Sequence, residues 1–254
     1  MPPSPGRRLA VAGATGLIGA QVVTLAEAAG HEVVPLSRTY GVDLTDPAAI
    51  GDRLAGVDAV IDVTRSPSMA RDDAIGFFTT VATNLGRAAQ AAGVARTVLL
   101  SIVGVDRSQD FDWYVATLAH ERATRAQAPG VRVLRATQFF EFPGQVLERS
   151  RRGGRAAIMD MPTQPIASEE VARMLVAMAT DDNADDVDIA GPRPERLPEL
   201  VRRLVALRGE DVVVDVVPAA TSIASGSVLP GPDALLLGED WDTWARRRFA
   251  GPDC

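Results

Sequence analysis

The feature that most narrows what this chain can fold into lies close to its start. Gly13-Ala14-Thr15-Gly16-Leu17-Ile18-Gly19 stands between a short apolar run, residues 8–12, and an alanine-rich helical segment that reaches Ala29. Apolar run, glycine turn and helix make the opening of a βαβ unit. Glycines in such a turn permit a tight bend and let the backbone approach a pyrophosphate, which the free N–H groups of the helix N-terminus attract. The spacing Gly13-x-x-Gly16-x-x-Gly19 departs from the GxGxxG fingerprint and by itself also fits a merely tight turn. Its place after the first strand of the chain is what points to a nucleotide.

The alternation continues. Gly30 stops the first helix, and residues 31–36 supply a second strand. The pattern then predicts a helix over 47–54, a strand over 57–63, a helix over 77–92, a strand over 97–101, a helix over about 115–127 and a strand over 131–136. Apolar, β-branched strands alternating with helices predict an α/β fold, a Rossmann-like doubly wound parallel sheet with helices on both faces. Beyond Ala136 the pattern loosens. A helix is expected over about 145–151, a short strand over 156–159, and a helix from Ser168-Glu169-Glu170 to near Thr180. A strand over 187–190, an amphipathic segment over 197–207, a strand over 212–217 and a last helix with Trp241 and Trp244 complete the chain. The 254 residues read as a single domain in which roughly 137–254 contributes a smaller substrate lobe.

Composition removes several chemistries. All 26 basic residues are arginine and lysine does not occur. A Schiff-base lysine and a phosphate-loop lysine are therefore excluded, and arginine cannot replace them in proton transfer because its pKa is too high. A net charge of −7 opposes nucleic-acid and anionic-membrane partners, so a small molecule is the expected one. The two histidines, His31 and His120, and the one cysteine, Cys254, form no zinc spacing, and no GxSxG elbow occurs, so no metal site is expected. Asp181, Asp182, Asp185 and Asp186 read as a solvated loop in preference to a magnesium site. Cys254 has no partner for an internal disulfide, and the start MPPSPGRR carries no signal-peptide pattern, so a cytoplasmic location is expected.

The end of the second strand bears on the kind of nucleotide. An acidic residue there accepts hydrogen bonds from an adenosine ribose, whereas a cation accommodates the extra phosphate of NADP. This chain has Ser37-Arg38, a hydroxyl donor beside a guanidinium suited to bidentate phosphate contact, which favours NADP over NAD. The alternatives are that Arg38 stacks on adenine or faces solvent. Asp46 before Pro47 reads as a helix N-cap.

Several segments taken together, GATGLIG, LSR, LLSIVGVD, YVATLAHER, RATQFFEF, QPIASEEVA and DIAGPRPERLPELVRR, resemble the NmrA-like atypical short-chain dehydrogenase/reductase family over nearly the whole chain. The resemblance implies a Rossmann fold with a dinucleotide at the carboxyl ends of the strands. Ala14, Thr15, Gly16, Leu17 and Ile18, within the loop bounded by Gly13 and Gly19, would face the pyrophosphate. Asp43-Leu44 would form an adenine-contacting turn, and Val63-Thr64 would lie along the adenine ribose. Ser101 and Ile102 would sit near the nicotinamide, with Ala136 and Thr137 closing over it. The wider superfamily uses a tyrosine and, four residues later, a lysine. Here tyrosine occurs only at 40 and 114, and Leu44 and Leu118 follow four residues on. Aligned by family, Trp113-Tyr114 fill the aromatic pair and Thr117 stands at the lysine.

Tyr114 is the best remaining proton donor, although an ordinary phenol with a pKa near 10 is a slow acid; the alternative is a packing residue at a helix start. Ser101 is a candidate to orient a substrate oxygen, or else only closes its strand. His120 lies six residues after Tyr114, about 240° around an ideal helix, and is expected to make a helix-surface contact. Trp113, Gln138, Phe139, Phe140 and Phe142, with Met159, either line a flat apolar pocket or pack a core. Gln138 and Glu141 are candidate polar contacts to substrate. Arg149, Arg151, Arg152 and Arg155 read as a solvated face before an anion site. The function expected is NADPH-dependent reduction of a small conjugated or aromatic carbonyl or quinone-type compound. The alternatives are a non-redox isomerase, dehydratase or cyclase on the same scaffold, or an NAD(P)-sensing regulatory protein.

Overall fold

The structure is a computed structural model that describes residues 6–249; Cys254 and the first five residues, on which the disulfide and leader expectations fall, lie outside the described residues. The chain runs β1 (Arg8–Ala12), α1 (Leu17–Ala28), β2 (Glu32–Leu36), α2 (Pro47–Ile50), β3 (Ala59–Asp62), α3 (Arg71–Ala91), β4 (Arg96–Ile102), α4 (Asp112–Gln127) and β5 (Val131–Ala136). It continues through α5 (Phe142–Ser150), β6 (Arg151–Arg152), β7 (Arg155–Met159), β8 (Pro162–Thr163), α6 (Ser168–Thr180), β9 (Val187–Ala190) and β10 (Glu195–Arg196). The last elements are α7 (Leu197–Leu207), β11 (Val213–Val217), α8 (Thr221–Ala224), β12 (Leu235–Leu236) and α9 (Trp241–Phe249).

Two compact units divide these elements. The first holds the chain up to Ser101, Asp112–Arg135 and Val171–Val187; the second holds Ile102–Phe111, Ala136–Glu170 and the chain from Asp188 onward. In the first unit the strands stand in the order β2-β1-β3-β4-β5. β1 pairs in parallel with β2 and β3, and β3 with β4. Leu9 to Ala12 of β1 and Ala59 to Asp62 of β3 are all buried, which is why these strands read as continuous apolar runs without alternation. A layer formed by Leu36, Val42, Leu44, Ile50, Leu54, Val81 and Leu85 packs one face. The fold is the Rossmann-like parallel α/β fold expected.

Several boundaries differ from the sequence reading for identifiable reasons. The helix expected over 47–54 is α2 followed by a 3₁₀ turn through Leu54, because Gly51 takes φ +40 at the junction. α3 begins at Arg71, six residues before the expected start. Its N-cap is Ala70, without a capping side chain; Ser68 instead accepts the Ala70 N–H at 3.2 Å and donates to Asp73 at 2.9 Å. α5 begins at Phe142 with Pro143 in its first turn, where proline's missing N–H costs nothing. Asp46 caps α2 as expected, accepting the Ala48 N–H at 2.9 Å.

In the second unit β7 is parallel to β11 and antiparallel to β6, β8 pairs with β10, and β9 with β12. Of the basic cluster, Arg151 and Arg155 are ion-paired with Glu210 and Asp215, and Arg152 donates to the Arg149 and Arg151 carbonyls. In the first unit the exposed run from Asp181 to Asp186 is more than a solvated loop. Asp182 binds Arg7 and Arg96, both at 3.1 Å, and Asp186 accepts the Val133 N–H at 2.8 Å.

Glu121 of α4, 4% exposed in its side chain, takes both arms of Arg135 of β5, at 2.9 and 2.8 Å. Removing the guanidinium takes both of these bonds from a carboxylate shut away from water. Arg135→Ala is expected to lower the unfolding free energy by about 3 kcal/mol, read as a shifted urea midpoint with an unchanged slope.

Candidate dinucleotide site

The site grows from the end of β1. Gly13 takes φ +84, which glycine adopts freely, and a Cβ there would lie 2.9 Å from the Val63 carbonyl oxygen. A Cβ on Gly19 would lie 2.1 Å from the Gly13 carbonyl oxygen. The end of β1, the first turn of α1 and the end of β3 therefore meet backbone to backbone. The Gly13 N–H donates to Leu36 O and the Gly16 N–H to Gly13 O, each at 2.9 Å, tying the loop to the end of β2. With β2 on one side of β1 and β3 on the other, this is a topological switch point, and ligands of open α/β sheets bind in the crevice outside the carboxyl ends there. Gly16, the N-cap of α1, has no side chain to cap it, and no acidic residue lies in the first turn. That helix end thus presents N–H groups and the positive end of its dipole to an anion. Ala14 and Ile18 are buried, while Thr15, Gly16 and Leu17 are exposed.

At the end of β2 the Ser37 carbonyl accepts the N–H groups of Tyr40 and Val42, at 2.9 and 3.0 Å. The turn so formed leaves Arg38 exposed. Ser37 itself is 9% exposed, and its Oγ has no hydrogen-bond partner. Asp43 accepts from the Thr45 hydroxyl at 2.7 Å and amide at 2.9 Å. These two bonds hold its carboxyl below the usual aspartate range, slightly opposed by burial and helped by the charge of Arg38. Leu44 is buried, and its carbonyl accepts Asn84 Nδ2 at 3.1 Å.

At the end of β3, Asp62 is 1% exposed. Its Oδ1 accepts the Thr64 N–H at 2.9 Å and the Thr64 hydroxyl at 2.7 Å, and its Oδ2 lies 3.1 Å from His120 Nε2. His120 is 3% exposed and stacks on Phe78, with ring centroids 4.5 Å apart. The expected helix-surface contact is thus corrected: α4 is covered broadly enough that Tyr114, Thr117 and His120 are all buried. Sequence reading also passed over Asp62, although a charged residue closing the apolar run Ala59–Asp62 had to find a partner, and His120 was one of only two histidines.

Ser101, near the end of β4, is 3% exposed and its Oγ has no hydrogen-bond partner; Ile102, the last residue of β4, is partly buried. On α4, Tyr114 is buried and Trp113 is partly buried, edge-on to Phe78. The Thr117 hydroxyl donates to Trp113 O at 2.8 Å, so at the lysine position the side chain is engaged by its own helix.

Within the second unit Ala136 and Thr137 are buried, and the Thr137 hydroxyl donates to Gln164 O at 2.6 Å. Gln138 Oε1 accepts the Thr163 hydroxyl at 2.6 Å. Phe140 is corrected from pocket to core. It is 1% exposed, lies against Trp244, and its carbonyl accepts Trp241 Nε1 at 3.1 Å. Phe139 and Phe142 are partly exposed. Glu141 accepts the Ser168 hydroxyl at 2.7 Å. Among the described residues no group of three or more His, Cys, Asp or Glu gathers to hold a metal ion, and no helix is long and apolar enough to cross a membrane.

A glycine cradle that a Cβ would fill, an uncapped helix N-terminus, and two buried hydroxyls without partners at the carboxyl ends of β2 and β4 fit a dinucleotide. Together with the sheet order they define an α/β dinucleotide-binding protein. More particularly, the chain belongs to the NAD(P)H-binding family, whose profile matches residues 37–182, more than half of its length, in keeping with the NmrA-like atypical short-chain dehydrogenase/reductases. No curated protein matches the sequence. Among solved structures, a short-chain dehydrogenase/reductase superfamily protein from Agrobacterium tumefaciens with bound NAD is similar at 17% identity and TM-score 0.65, covering 95% of this chain and 98% of that one. A UDP-N-acetylglucosamine 4-epimerase from Bacillus cereus matches at 16% identity and TM-score 0.70, over 98% of each chain. A dTDP-4-dehydrorhamnose reductase from Bacillus anthracis in complex with NADP matches at 12% identity and TM-score 0.70, over 96% of this chain and 98% of that one. At these identities the likeness is one of fold.

Burial works against ionisation of Asp62, but the charge and hydrogen bond of His120 and the two bonds from Thr64 outweigh it and hold the carboxyl below its usual range. A depressed folded pKa stabilises the protein above the unfolded value and is lost as pH falls through the folded one. At pH 7 Asp62→Asn is expected to cost about 2–3 kcal/mol. The urea midpoints of wild type and variant should converge on acidification below about pH 4.

Proposed function

We propose that the protein is an NADPH-dependent reductase of a small conjugated or aromatic carbonyl or quinone-type substrate. The observation that carries this reading is the unpartnered buried hydroxyl of Ser101 at the carboxyl end of β4, in the unit that also holds the glycine cradle and Tyr114. The first turn of α1 would hold the pyrophosphate and Val63-Thr64 the adenine ribose. Ser37 and Arg38 would take the extra phosphate of NADP. Of the solved structures, the Bacillus protein is in complex with NADP and the Agrobacterium protein with NAD, so the choice rests on Arg38. A bound nicotinamide supplies the hydride. Ser101 would donate to the substrate carbonyl oxygen and Tyr114 would deliver the proton. With no ammonium in the chain to acidify the phenol, the reading favours substrates whose reduced anion is delocalised, since these need less proton assistance than plain ketones. Phe139 and Phe142 remain proposed substrate contacts. The net charge of −7 favours a small-molecule partner over nucleic acid or an anionic membrane.

The engaged hydroxyl of Thr117 favours a second reading, a non-redox enzyme or a nucleotide sensor on this scaffold. Loss of NADPH absorbance across a panel of quinones and enones supports the reductase, whereas product formed without cofactor oxidation supports the second reading.

Arg38→Ala is expected to weaken NADPH about ten- to hundredfold, the worth of one or two hydrogen bonds to a charged group, and to leave NADH within about twofold. Equal losses in a fluorescence titration would sink the phosphate assignment. Tyr114→Phe is expected to lower kcat at least about a hundredfold with the KM for NADPH unchanged; untouched turnover would remove Tyr114 as the acid.

A further inference from the structure

Asp62 and His120 form a buried pair that the chemistry above does not use. Asp62 closes a local turn, because its Oδ1 takes both the amide and the hydroxyl of Thr64, two residues on. The remaining oxygen takes His120 from α4, 58 residues away along the chain. Val63, inside that turn, gives its N–H to Ala12 O at 3.0 Å and sets its carbonyl against Gly13, where no side chain intervenes. The segment Val63-Thr64 therefore has no slack toward the glycine loop. The imidazole is not free to swing either. Phe78 lies on its face with an interplanar angle of 15°, and Trp113 closes on Phe78 at 64°. Ala74, Phe78 and Ala116 form the small core cluster around this stack.

We infer that His120 is a positioning residue for the dinucleotide site, acting through Asp62 to hold Val63-Thr64 and, by backbone contact, the glycine loop in their binding geometry. The inference rests on the dinucleotide reading of the loop. A side chain present only to fill space beside Phe78 could be an aromatic hydrocarbon. A side chain that holds Asp62 must be a donor, and its bond ties the one carboxylate oxygen that Thr64 leaves open, and with it the turn, to α4. Without it, nucleotide binding must also supply the ordering of the segment, and affinity falls. Val63-Thr64 meets a part common to both nucleotides, so the loss is the same for NADPH and NADH, unlike the selective loss at Arg38.

The test compares His120→Phe, His120→Gln and Thr64→Val by NADPH and NADH titration and by amide hydrogen exchange of a peptide covering residues 62–66 in the nucleotide-free protein. His120→Phe should raise both Kd values about tenfold and speed exchange in that peptide. His120→Gln, whose amide still donates, should stay within about threefold of wild type; Thr64→Val, lacking one of the bonds to Asp62, should fall between them. Wild-type affinity and exchange in His120→Phe overturns the inference, as does an equal loss in His120→Phe and His120→Gln. If His120→Phe does not fold, exchange in the nucleotide-free protein decides between the other two: faster exchange of the 62–66 peptide in Thr64→Val than in His120→Gln supports the assignment, and wild-type exchange in Thr64→Val overturns it. A wild-type protein that binds neither nucleotide removes the dinucleotide reading, while the exchange contrast still reports whether the pair anchors the segment.

Discussion

A carboxylate taken out of water costs several kcal/mol unless donors converge on it, and the way Asp62 meets that demand organises the first unit. Two donors come from Thr64, which bends the chain immediately after β3. The third comes from α4, which fixes the position of that helix at the end of the strand. The bend brings the Val63 carbonyl to the place where any residue but glycine at 13 would put a Cβ. Charge satisfaction at the end of β3 and the glycine requirement at the end of β1 are thus two sides of one contact, and the switch-point crevice is built where they meet.

The parts of this arrangement that were legible in the sequence are those with a period or a rigid local rule. β1 and β3 announced themselves as apolar runs because both faces are covered, and the Gly13 loop declared its turn because no other residue type tolerates both the φ value and the approach. Asp46-Pro47 marked its helix start for the same kind of local reason. The Asp62–His120 pairing was not legible because it joins residues 58 apart; a charge that closes an apolar run demands a partner without saying which. The angular argument about His120 failed because it took Tyr114 as the sole inward reference, whereas α4 buries Ala116, Thr117, Leu118, His120, Glu121 and Thr124 as well. The early start of α3 was hidden by a serine two residues ahead of the N-cap. Phe140 could not be told from its neighbours Phe139 and Phe142 by type; only the packing of Trp241 and Trp244 separates them.

The all-arginine composition has a structural counterpart. A guanidinium offers a planar fork of donors, and the chain uses it so: Arg135 takes both oxygens of Glu121 with two nitrogens, and Arg203 spreads its two terminal nitrogens over Asp242, at 2.7 Å, and Glu195, at 2.6 Å. Asp182 shows the converse, one carboxylate gathering Arg7 and Arg96. These pairs join separate segments within each unit, a task that rigid forks suit better than single ammonium donors. What arginine does not provide is a cation that releases or shares a proton near neutral pH, and Thr117 shows what that leaves on α4: a hydroxyl bonded back to its own helix.

The distribution of engaged and unengaged hydroxyls then constrains the chemistry more sharply than the missing lysine alone. Thr64, Thr117 and Thr137 each have their hydroxyl bonded, to Asp62, Trp113 and Gln164 respectively, so they shape backbone and helix. Among the described residues four buried hydroxyls are unbonded: those of Thr97 within β4 and Thr124 within α4, and those of Ser37 and Ser101. A buried hydroxyl without a partner forfeits on the order of 1–3 kcal/mol, a cost that makes sense where a ligand oxygen arrives to meet it. The two serines stand at the carboxyl ends of β2 and β4, the places a dinucleotide spanning the switch point would put its adenosine and nicotinamide ends. A site built in this way binds and orients well but stabilises a developing oxyanion with few donors. The proposed reductase reading accordingly favours substrates whose electrons, after hydride transfer, would spread over their own conjugated framework.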